Sequence, residues 1–545
     1  MIILGMTHPI SWNNAACILV DGQLVAMVEE ERLNRIKHAP RMAPKLAMEY
    51  CLRQAGVTLQ QVDYVAIGFD SAARAALGNL RSEEGLFSGL NQAAFWLRDG
   101  STYERKLPLE GFDRSHVIFV NHHRAHAASS FFASGFSEAN ILSLDGSGGS
   151  ESGVLGIGRG TDIQVLKTVS NRGSWGLMYE AITEKLGFRR HSGEGKVMGL
   201  AAYGQPDPKG LPFVNWNSDI PTIDPEKRKA FIESLKLRQK DGPITDEHKN
   251  LAATLQDTLE RAVSRMSEWL YEQSRIRRLC LAGGTALNCS MNGKLARLSW
   301  VEEIFIQPAA HDAGAALGAA LSVHADKTGQ RPAWRMEHAY WGPEFTNEQI
   351  QEALSAFQDL RFYKSDNIFA ETAKLLAEGK IIGWFQGRSE VGPRALGNRS
   401  ILADPSRPEM KDRVNKQVKH REPWRPFAPS VLEEAVGRYI DQPIPSPFMI
   451  LAFDTKPEMK AEIAAAIHVD GTCRPQTVSR ATNPRYWQLI KRFEELTGIP
   501  SVLNTSFNVD SQPIVNTPQE AIDTFVNCGI EVLAIGDFLA WKGGD

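Results

Sequence analysis

Short apolar runs interrupted by glycine-bearing turns dominate the first part of the chain. Residues 2–4 lead into a turn-rich stretch, followed by an apolar run at 16–20, the dipeptide Asp21-Gly22 and a second run at 24–28. Asp-Gly between two apolar runs predicts a β-hairpin. The same rhythm returns at 140–144, 153–157 and 163–169, with Asp145-Gly146-Ser147-Gly148-Gly149 as the first connection. Two three-strand meanders, each with a glycine-bearing first connection, predict an internal structural repeat.

Helical spacing takes over between and after these units. Apolar positions recur at helical intervals over 43–54, and 251–270 is a long amphipathic run. Strands alternating with helices predict an α/β fold. Residues 205–225, rich in Pro, Asn and Asp, read as a surface excursion of the kind that often serves as a lid. Around 329–332 and 341–343 the pattern weakens. That predicts a first domain over 1–340, a connection over 341–366 and a second domain over 367–545. At roughly 150 residues per domain, a chain of 545 residues holds two to four.

Composition narrows the class. Hydrophobic residues make up 43% and charged residues 23%, which excludes a disordered or fibrous protein. Lys and Arg number 61 against 64 Asp and Glu, and a net charge of -3 argues against dedicated nucleic-acid binding. No apolar stretch reaches the ~20 residues of a membrane span, and the N-terminus lacks the basic region of a signal peptide. A cytoplasmic protein with no membrane partner is expected. The six cysteines (Cys17, Cys51, Cys280, Cys289, Cys473, Cys528) form no Cys-x-x-Cys pair, which predicts buried, reduced thiols. Charge is uneven, however. Residues 388–425 hold ten Lys/Arg and five acids, a net +5 that leaves -8 elsewhere. A basic cluster in an otherwise acidic chain predicts a small anionic ligand.

The sharpest chemical signal is Asn121-His122-His123-Arg124-Ala125-His126. In a helix, His122 and His126 fall at i and i+4 on one face, where two imidazoles can share a metal, and Asn121 is a fitting N-cap. His123 stands where a zincin has Glu, so protease chemistry is not supported. Asp145 ends the next strand and Asp312 precedes a small-residue helix, which makes a two-His, two-Asp set. Such ligation suits Fe(II), Mn(II) or Zn(II) without choosing among them. Two further turns suit an anion. Gly146-Ser147-Gly148 sits at a strand-to-turn junction, and Gly283-Gly284 lies between a strand and a helix start at Asn288. Backbone N–H groups there can face phosphate oxygens, although neither is a Walker loop.

In this order, Asp145-Gly-Ser-Gly, Ala-Gly-Gly-Thr-Ala-Leu-Asn at 282–288 and His-Asp-Ala-Gly-Ala-Ala-Leu-Gly at 311–318 resemble the actin/sugar-kinase/Hsp70 ATPase superfold. His-x-x-x-His narrows the resemblance to the branch that transfers carbamoyl or threonylcarbamoyl groups. Segments 29–38, 193–201, 392–400, 419–428, 468–476 and 503–508 resemble the NodU/CmcH/TobZ O-carbamoyltransferases almost end to end.

That resemblance implies a duplicated actin/Hsp70-like (ASKHA) N-terminal domain followed by a YrdC-like α/β domain. The first domain would hold the metal, the activated carbamoyl group and the acceptor. The second would make carbamoyladenylate from carbamoyl phosphate and ATP, with Mg(II) accompanying the nucleotide. By position, His122, His126, Asp145 and Asp312 match the family's metal ligands, with Fe(II) the implied ion. Lys419, Arg425, Arg474, Asn504 and Ser506 match its carbamoyl-phosphate pocket, and Arg394 its ATP contact. Lys37 and Lys196, with Gly146, Ser147, Gly148, Gly283, Gly284 and Asn288, are the expected nucleotide or adenylate positions of the first domain. The implied acceptor is a hydroxyl of a small natural product, such as an antibiotic, a sugar or a toxin. A homodimer is expected by analogy. Trp12-Asn13, in the expected acceptor region, replace the family's usual His-Asp; if that His takes the acceptor's proton in the family, this chain must use another base or rely on the metal. A tRNA threonylcarbamoyl-type transferase and a non-enzymatic nucleotide-gated binding protein are the rival readings. Charge and domain order disfavour the first, and the His pair disfavours the second.

Overall fold

The computed structural model describes residues 1–80, 86–240, 242–422, 424–509 and 511–543. The chain divides into two compact units, one of residues 1–34 and 38–336, the other of residues 35–37 and 337–545.

The first unit contains the repeat. β1 (Ile2–Met6), β2 (Ala15–Val20) and β3 (Gln23–Glu29) form an antiparallel meander, turned at Asp21 and Gly22 with φ of 50° and 78°. β4 (Tyr64–Ile67) and β5 (Val117–Phe119) continue the sheet in parallel on the other side of β1. A second meander comprises β6 (Glu138–Gly148), β7 (Glu151–Arg159) and β8 (Asp162–Ser170). A small ribbon of β9 (Val214–Asn215) and β10 (Thr222–Ile223) stands apart from it. β11 (Arg278–Ala282) and β12 (Glu303–Ile306) then add in parallel beyond β6. The two sheets, β3-β2-β1-β4-β5 and β8-β7-β6-β11-β12, therefore have the same strand order when each is read from its own meander. The duplication implied by the resemblance is present in the topology.

Two helices lie between these sheets. Helix Asp312–Thr328 packs on β1, β2 and β4, helix His122–Phe131 packs on β6 and β11, and the two helices pack on each other. Glycines permit this. A Cβ on Gly318 would lie 1.7 Å from the Ala125 carbonyl oxygen. On Gly5 and Gly68 it would lie 2.2 and 2.5 Å from the carbonyl oxygens of Ala316 and Ala315. Backbones this close leave no room for a side chain.

The stretch 205–225 is not a loose lid. Leu211, Phe213, Ile220 and Ile223 are buried, and the Leu211 N–H donates to Thr258 Oγ1 (3.0 Å) on the long helix Asp246–Ser274. Its apolar residues outweigh the turn-forming ones that dominate its composition.

The second unit is built on one mixed sheet. Its strands are β13 (Leu360–Lys364), β14 (Ile382–Phe385), β15 (Arg399–Ala403), β16 (Ala428–Leu432), β19 (Gln476–Val478), β20 (Ser501–Ser506), β21 (Val532–Ile535) and β22 (Phe538–Lys542). β17 (Phe453–Asp454) and β18 (Thr472–Cys473) form a separate ribbon. Phe385, Ile401, Leu503 and Leu533 enter one hydrophobic cluster, whereas Trp384, Leu402, Val502 and Val532 enter another. This two-residue alternation means that both faces of the sheet are covered. Residues 341–366, expected as a connection, belong to this unit, because β13 pairs with β22 along its length. All six cysteines are buried and free. Among the described residues, no helix is long and apolar enough to cross a membrane.

Candidate functional site

In the first unit, His122, His126, Asp145 and Asp312 each offer a ligand atom within 4.8 Å of the other three. The Asn121 side chain caps the first turn of the His122–Phe131 helix by accepting from the Arg124 N–H (3.0 Å), and the i, i+4 spacing brings the two Nε2 atoms to 3.1 Å. Asp145 Oδ2 lies 3.3 Å from His122 Nε2 and 3.1 Å from His126 Nε2. Asp312 Oδ1 approaches the same two atoms at 3.8 and 3.9 Å. Two imidazole nitrogens and two carboxylate oxygens converging on one point fit a divalent transition-metal ion.

The outer contacts orient these donors. His122 Nδ1 donates to the Gly68 carbonyl (3.1 Å), which directs Nε2 inward. Asp145 Oδ1 accepts from the N–H groups of Gly146 (2.8 Å) and Gly284 (3.2 Å), leaving Oδ2 for the centre. Asp312 Oδ2 accepts from the Trp12 N–H (2.9 Å), leaving Oδ1. Each carboxylate is thus tethered by backbone through one oxygen. Burial alone would push the His122 imidazole down, but its hydrogen bond to Asp145 and the charges of Asp312 and Asp145 outweigh this and hold it at about 8. Burial pushes the Asp145 carboxyl up, and the two imidazoles win, holding it well below the usual range.

The glycine-bearing turns serve this centre more directly than sequence reading suggested. β6 runs through Gly148 with an irregularity after Leu144, so the turn comes later, at Gly149 (φ 82°). A Cβ on Gly148 would lie 2.2 Å from the His122 ring, so this glycine makes room for the imidazole. Gly283 (φ 83°) would meet the Leu144 carbonyl oxygen at 2.2 Å, and the Gly284 N–H holds Asp145. Gly146 has space around it, with the nearest atom 3.8 Å from its would-be Cβ. Ser147 is exposed on the same irregular stretch. Asn288 caps helix Cys289–Ala296 and exchanges two hydrogen bonds of 2.9 Å with Gln256. Lys196 lies in helix Glu194–Ala201, 5.9 Å from the Phe188 ring centroid. Lys37, expected among the first-domain positions, falls in the 35–37 segment grouped with the second unit. Trp12 and Asn13 sit beside the centre's rim. The Trp12 ring lies against that of His191, and Asn13 Nδ2 pairs with His38 Nδ1 (2.9 Å). The tethering role of the Trp12 N–H carries no signal in the sequence, because any residue but proline supplies it.

In the second unit, Asn504 and Ser506 lie two apart on β20 and hence on one face. Lys419 is buried, and its ammonium donates to Ser506 O, Ser506 Oγ (3.3 Å), Asn508 O (2.9 Å) and Asn508 Oδ1 (2.9 Å). Asn504 Nδ2 donates to Ala395 O, Ser430 Oγ and Gln476 Oε1 at 3.0–3.2 Å, while its Oδ1 is buried without a partner among the described residues. Arg394 precedes Ala395 and Arg474 stands two residues before Gln476, so both lie on segments bordering Asn504. The Arg425 carbonyl accepts from Asn415 Nδ2 (3.3 Å), on the same helical turn that carries Lys419. Burial, with a smaller contribution from the Arg474 guanidinium, pushes His468 down to about 4.

The +5 window is not one anion site. Arg399 is fully buried, lies 3.7 Å over the Phe385 ring and donates to the carbonyls of Gln386, Gly387 and Pro343. Arg407 and Arg413 pair with Asp404 and Glu531, Arg388 donates to the carbonyls of Trp341 and Gly342, and Arg421 lies over Phe427. Five of the ten cations therefore hold the fold, which counting charge along the chain does not reveal.

The family model described as carbamoyltransferase N-terminus matches residues 3–321, and that described as carbamoyltransferase C-terminus matches residues 373–542. The chain is similar to nodulation protein NolNO of Sinorhizobium fredii, with 40% identity over 99% of this chain and 80% of that protein. It is also similar to nodulation protein NolO of Bradyrhizobium diazoefficiens, with 43% identity over 78% of this chain and 79% of that protein. Among solved structures, full-length HypF in its phosphate- and nucleotide-bound form matches at a TM-score of 0.38 and 14% identity, over 61% of this chain and 56% of that one.

Proposed function

The chain belongs to the carbamoyltransferase family, and from that premise we propose that it is an ATP-dependent O-carbamoyltransferase working through carbamoyladenylate. In this reading the second unit, a YrdC-like domain, joins carbamoyl phosphate and ATP with release of pyrophosphate. The first unit then transfers the carbamoyl group to a hydroxyl of a small natural product and releases AMP. The reading rests above all on the cluster of two buried histidines and two half-buried aspartates, each aspartate tethered through one oxygen by backbone.

His122, His126, Asp145 and Asp312 would hold the metal, with Fe(II) the proposed ion. When bound, the ion supplies Lewis acidity toward a carbamoyl oxygen or an acceptor hydroxyl. In the second unit, Arg425 and Arg474 would meet the phosphate of carbamoyl phosphate as guanidinium forks, and Lys419 would fix the end of β20 against it. Asn504 Oδ1, a buried acceptor, suits the N–H donors of the carbamoyl amide. Arg394 would contact ATP, which arrives with Mg(II). We place the enzyme in the cytoplasm, as a homodimer, in secondary metabolism.

Incubating the enzyme with carbamoyl phosphate and ATP, without acceptor, tests the adenylate step. Pyrophosphate is the expected product, and finding only ADP and phosphate would overturn it. Metal analysis of anaerobically purified protein tests the ion, with zinc or manganese alone excluding Fe(II).

A further inference from the structure

Neither Trp12 nor Asn13 can accept a proton near neutral pH, yet an acceptor hydroxyl must lose one during transfer. The structure offers a different group at the same rim. The imidazole of His191 and the indole of Trp12 lie 4.2 Å apart between ring centroids, tilted by 35°. Trp12 is itself bound by its backbone N–H to the metal-facing Asp312. His191 Nδ1 lies 3.5 Å from Glu180 Oε2, a carboxylate buried on helix Trp175–Lys185. Neither ring nitrogen makes a hydrogen bond among the described residues, and the side chain keeps 39% of its surface exposed. His191 also holds a left-handed backbone (φ 62°), unusual outside glycine, and its N–H donates to Glu194 Oε1 (2.9 Å). Strained conformations of this kind concentrate at working sites. His38, the other histidine at this rim, is less suitable, because its Nδ1 is engaged by Asn13 and its Nε2 has no exposed surface.

Resting on the carbamoyl-transfer reading, we propose that His191 is the catalytic base of the transfer step, with Trp12 and Glu180 as its positioning residues. The acceptor's O–H proton passes to His191 Nε2. The acceptor oxygen forms a bond to the carbamoyl carbon, and the bond from that carbon to the adenylate phosphate oxygen breaks, releasing AMP. Glu180 Oε2, 3.5 Å from Nδ1, favours the tautomer that carries its proton on Nδ1 and leaves Nε2 as the acceptor, the arrangement found in His–carboxylate pairs generally. The charged groups around the ring are Glu180, Arg190, Glu194, Asp145 and Asp312. Burial lowers the imidazole's pKa, Glu194 raises it, Arg190 lowers it, and Asp312 and Asp145 raise it. The balance falls below the ordinary 6.5, so the proton-accepting form persists to lower pH than a free histidine's would.

The full-length enzyme tests this with carbamoyl phosphate and ATP, using water and molar glycerol as the hydroxyl probes. AMP release reports transfer and pyrophosphate release reports activation. His191→Gln should slow AMP release by at least ~10²-fold and remove the acid limb of its pH profile, with pyrophosphate release and the KM for carbamoyl phosphate unchanged. Imidazole in the buffer should partly restore His191→Ala, and Glu180→Gln should shift the acid limb. AMP release at the wild-type rate in His191→Gln, or an acid limb that persists there, would overturn the assignment. So would a loss shared equally by both half-reactions. Absence of pyrophosphate release from the wild type would instead overturn the carbamoyladenylate reading itself.

Discussion

The two candidate sites are built in opposite ways. In the first unit, backbone fixes three of the four candidate ligands: the Gly68 carbonyl holds His122, the Gly146 and Gly284 amides hold Asp145, and the Trp12 amide holds Asp312, while glycines at 148 and 318 clear the space. In the second unit, side-chain donors do the holding, on backbone carbonyls and on other side chains alike. Lys419 grips Ser506 and Asn508, Asn504 bridges Ser430 and Gln476, and half of the basic window is occupied with the fold. Backbone tethers cannot be removed by a side-chain substitution, whereas the space that glycine leaves can be filled. The first site should therefore fail abruptly, when a ligand is lost or a glycine gains a side chain. The second should decline by steps, one charge-assisted hydrogen bond at a time.

The largest effect expected is that of His126→Ala. With one of four donors gone, metal content should fall to background and AMP release with it, while pyrophosphate release continues. Metal analysis and the two half-reactions, measured on one preparation, check this. Equal loss of both half-reactions in folded protein would erase the proposed division of labour between the units.

Gly148→Ala comes next and tests the cleared space. Its Cβ would fall 2.2 Å from the His122 ring, so the imidazole must turn away from Asp145. Losing the contacts that orient a ligand costs about 10- to 100-fold in metal affinity, so a loss at least that large is expected, and competition with a chelator would read it. Unchanged affinity would mean that β6 can shift to accommodate a methyl group.

The difference between the sites also explains what the sequence could reveal. A His pair at i, i+4 after an N-capping Asn is rare enough to be read directly, and aspartates at a strand end and a helix start complete it. The repeat was legible because apolar runs and turns recur. The uses of Gly5, Gly68, Gly148 and Gly318 were not, because each answers a neighbour brought close only by tertiary packing. In the basic window the same residue types do structural and ligand-facing work, so counting Lys and Arg overstated the site. Likewise, Pro and Asn at 205–225 suggested a lid, although Leu211 and Phe213 anchor that stretch.

A moderate effect is expected in the second unit. Arg425 is half-buried with Glu422 at 3.9 Å, and thermal denaturation of the variants checks that the fold survives its removal. Arg425→Ala should lose about 1.5–3 kcal/mol of binding to carbamoyl phosphate, or roughly ten- to a hundred-fold in affinity. Arg425→Lys keeps the charge but loses the planar fork, and should fall between the two. The KM for carbamoyl phosphate in pyrophosphate release measures both. An unchanged KM would reduce Arg425 to a surface cation.

The smallest effect, and the sharpest control on the contrast, belongs to Gly146→Ala. Gly146 and Gly148 flank Ser147 on one irregular stretch of strand, and neither has a positive φ that would itself penalise alanine. Their surroundings differ. The nearest atom to a Cβ at 146 is Leu177 Cδ2 at 3.8 Å, an ordinary van der Waals contact, whereas at 148 the His122 ring stands in the way. Gly146 also contributes to the centre only through its N–H on Asp145, which alanine retains. Gly146→Ala should therefore leave metal affinity unchanged and alter stability by no more than about 0.5 kcal/mol. If it instead raises the KM for ATP or slows AMP release while metal content holds, the open space beside Gly146 receives the adenylate. The stretch would then serve two purposes, clearing room for the imidazole at 148 and for a phosphate at 146.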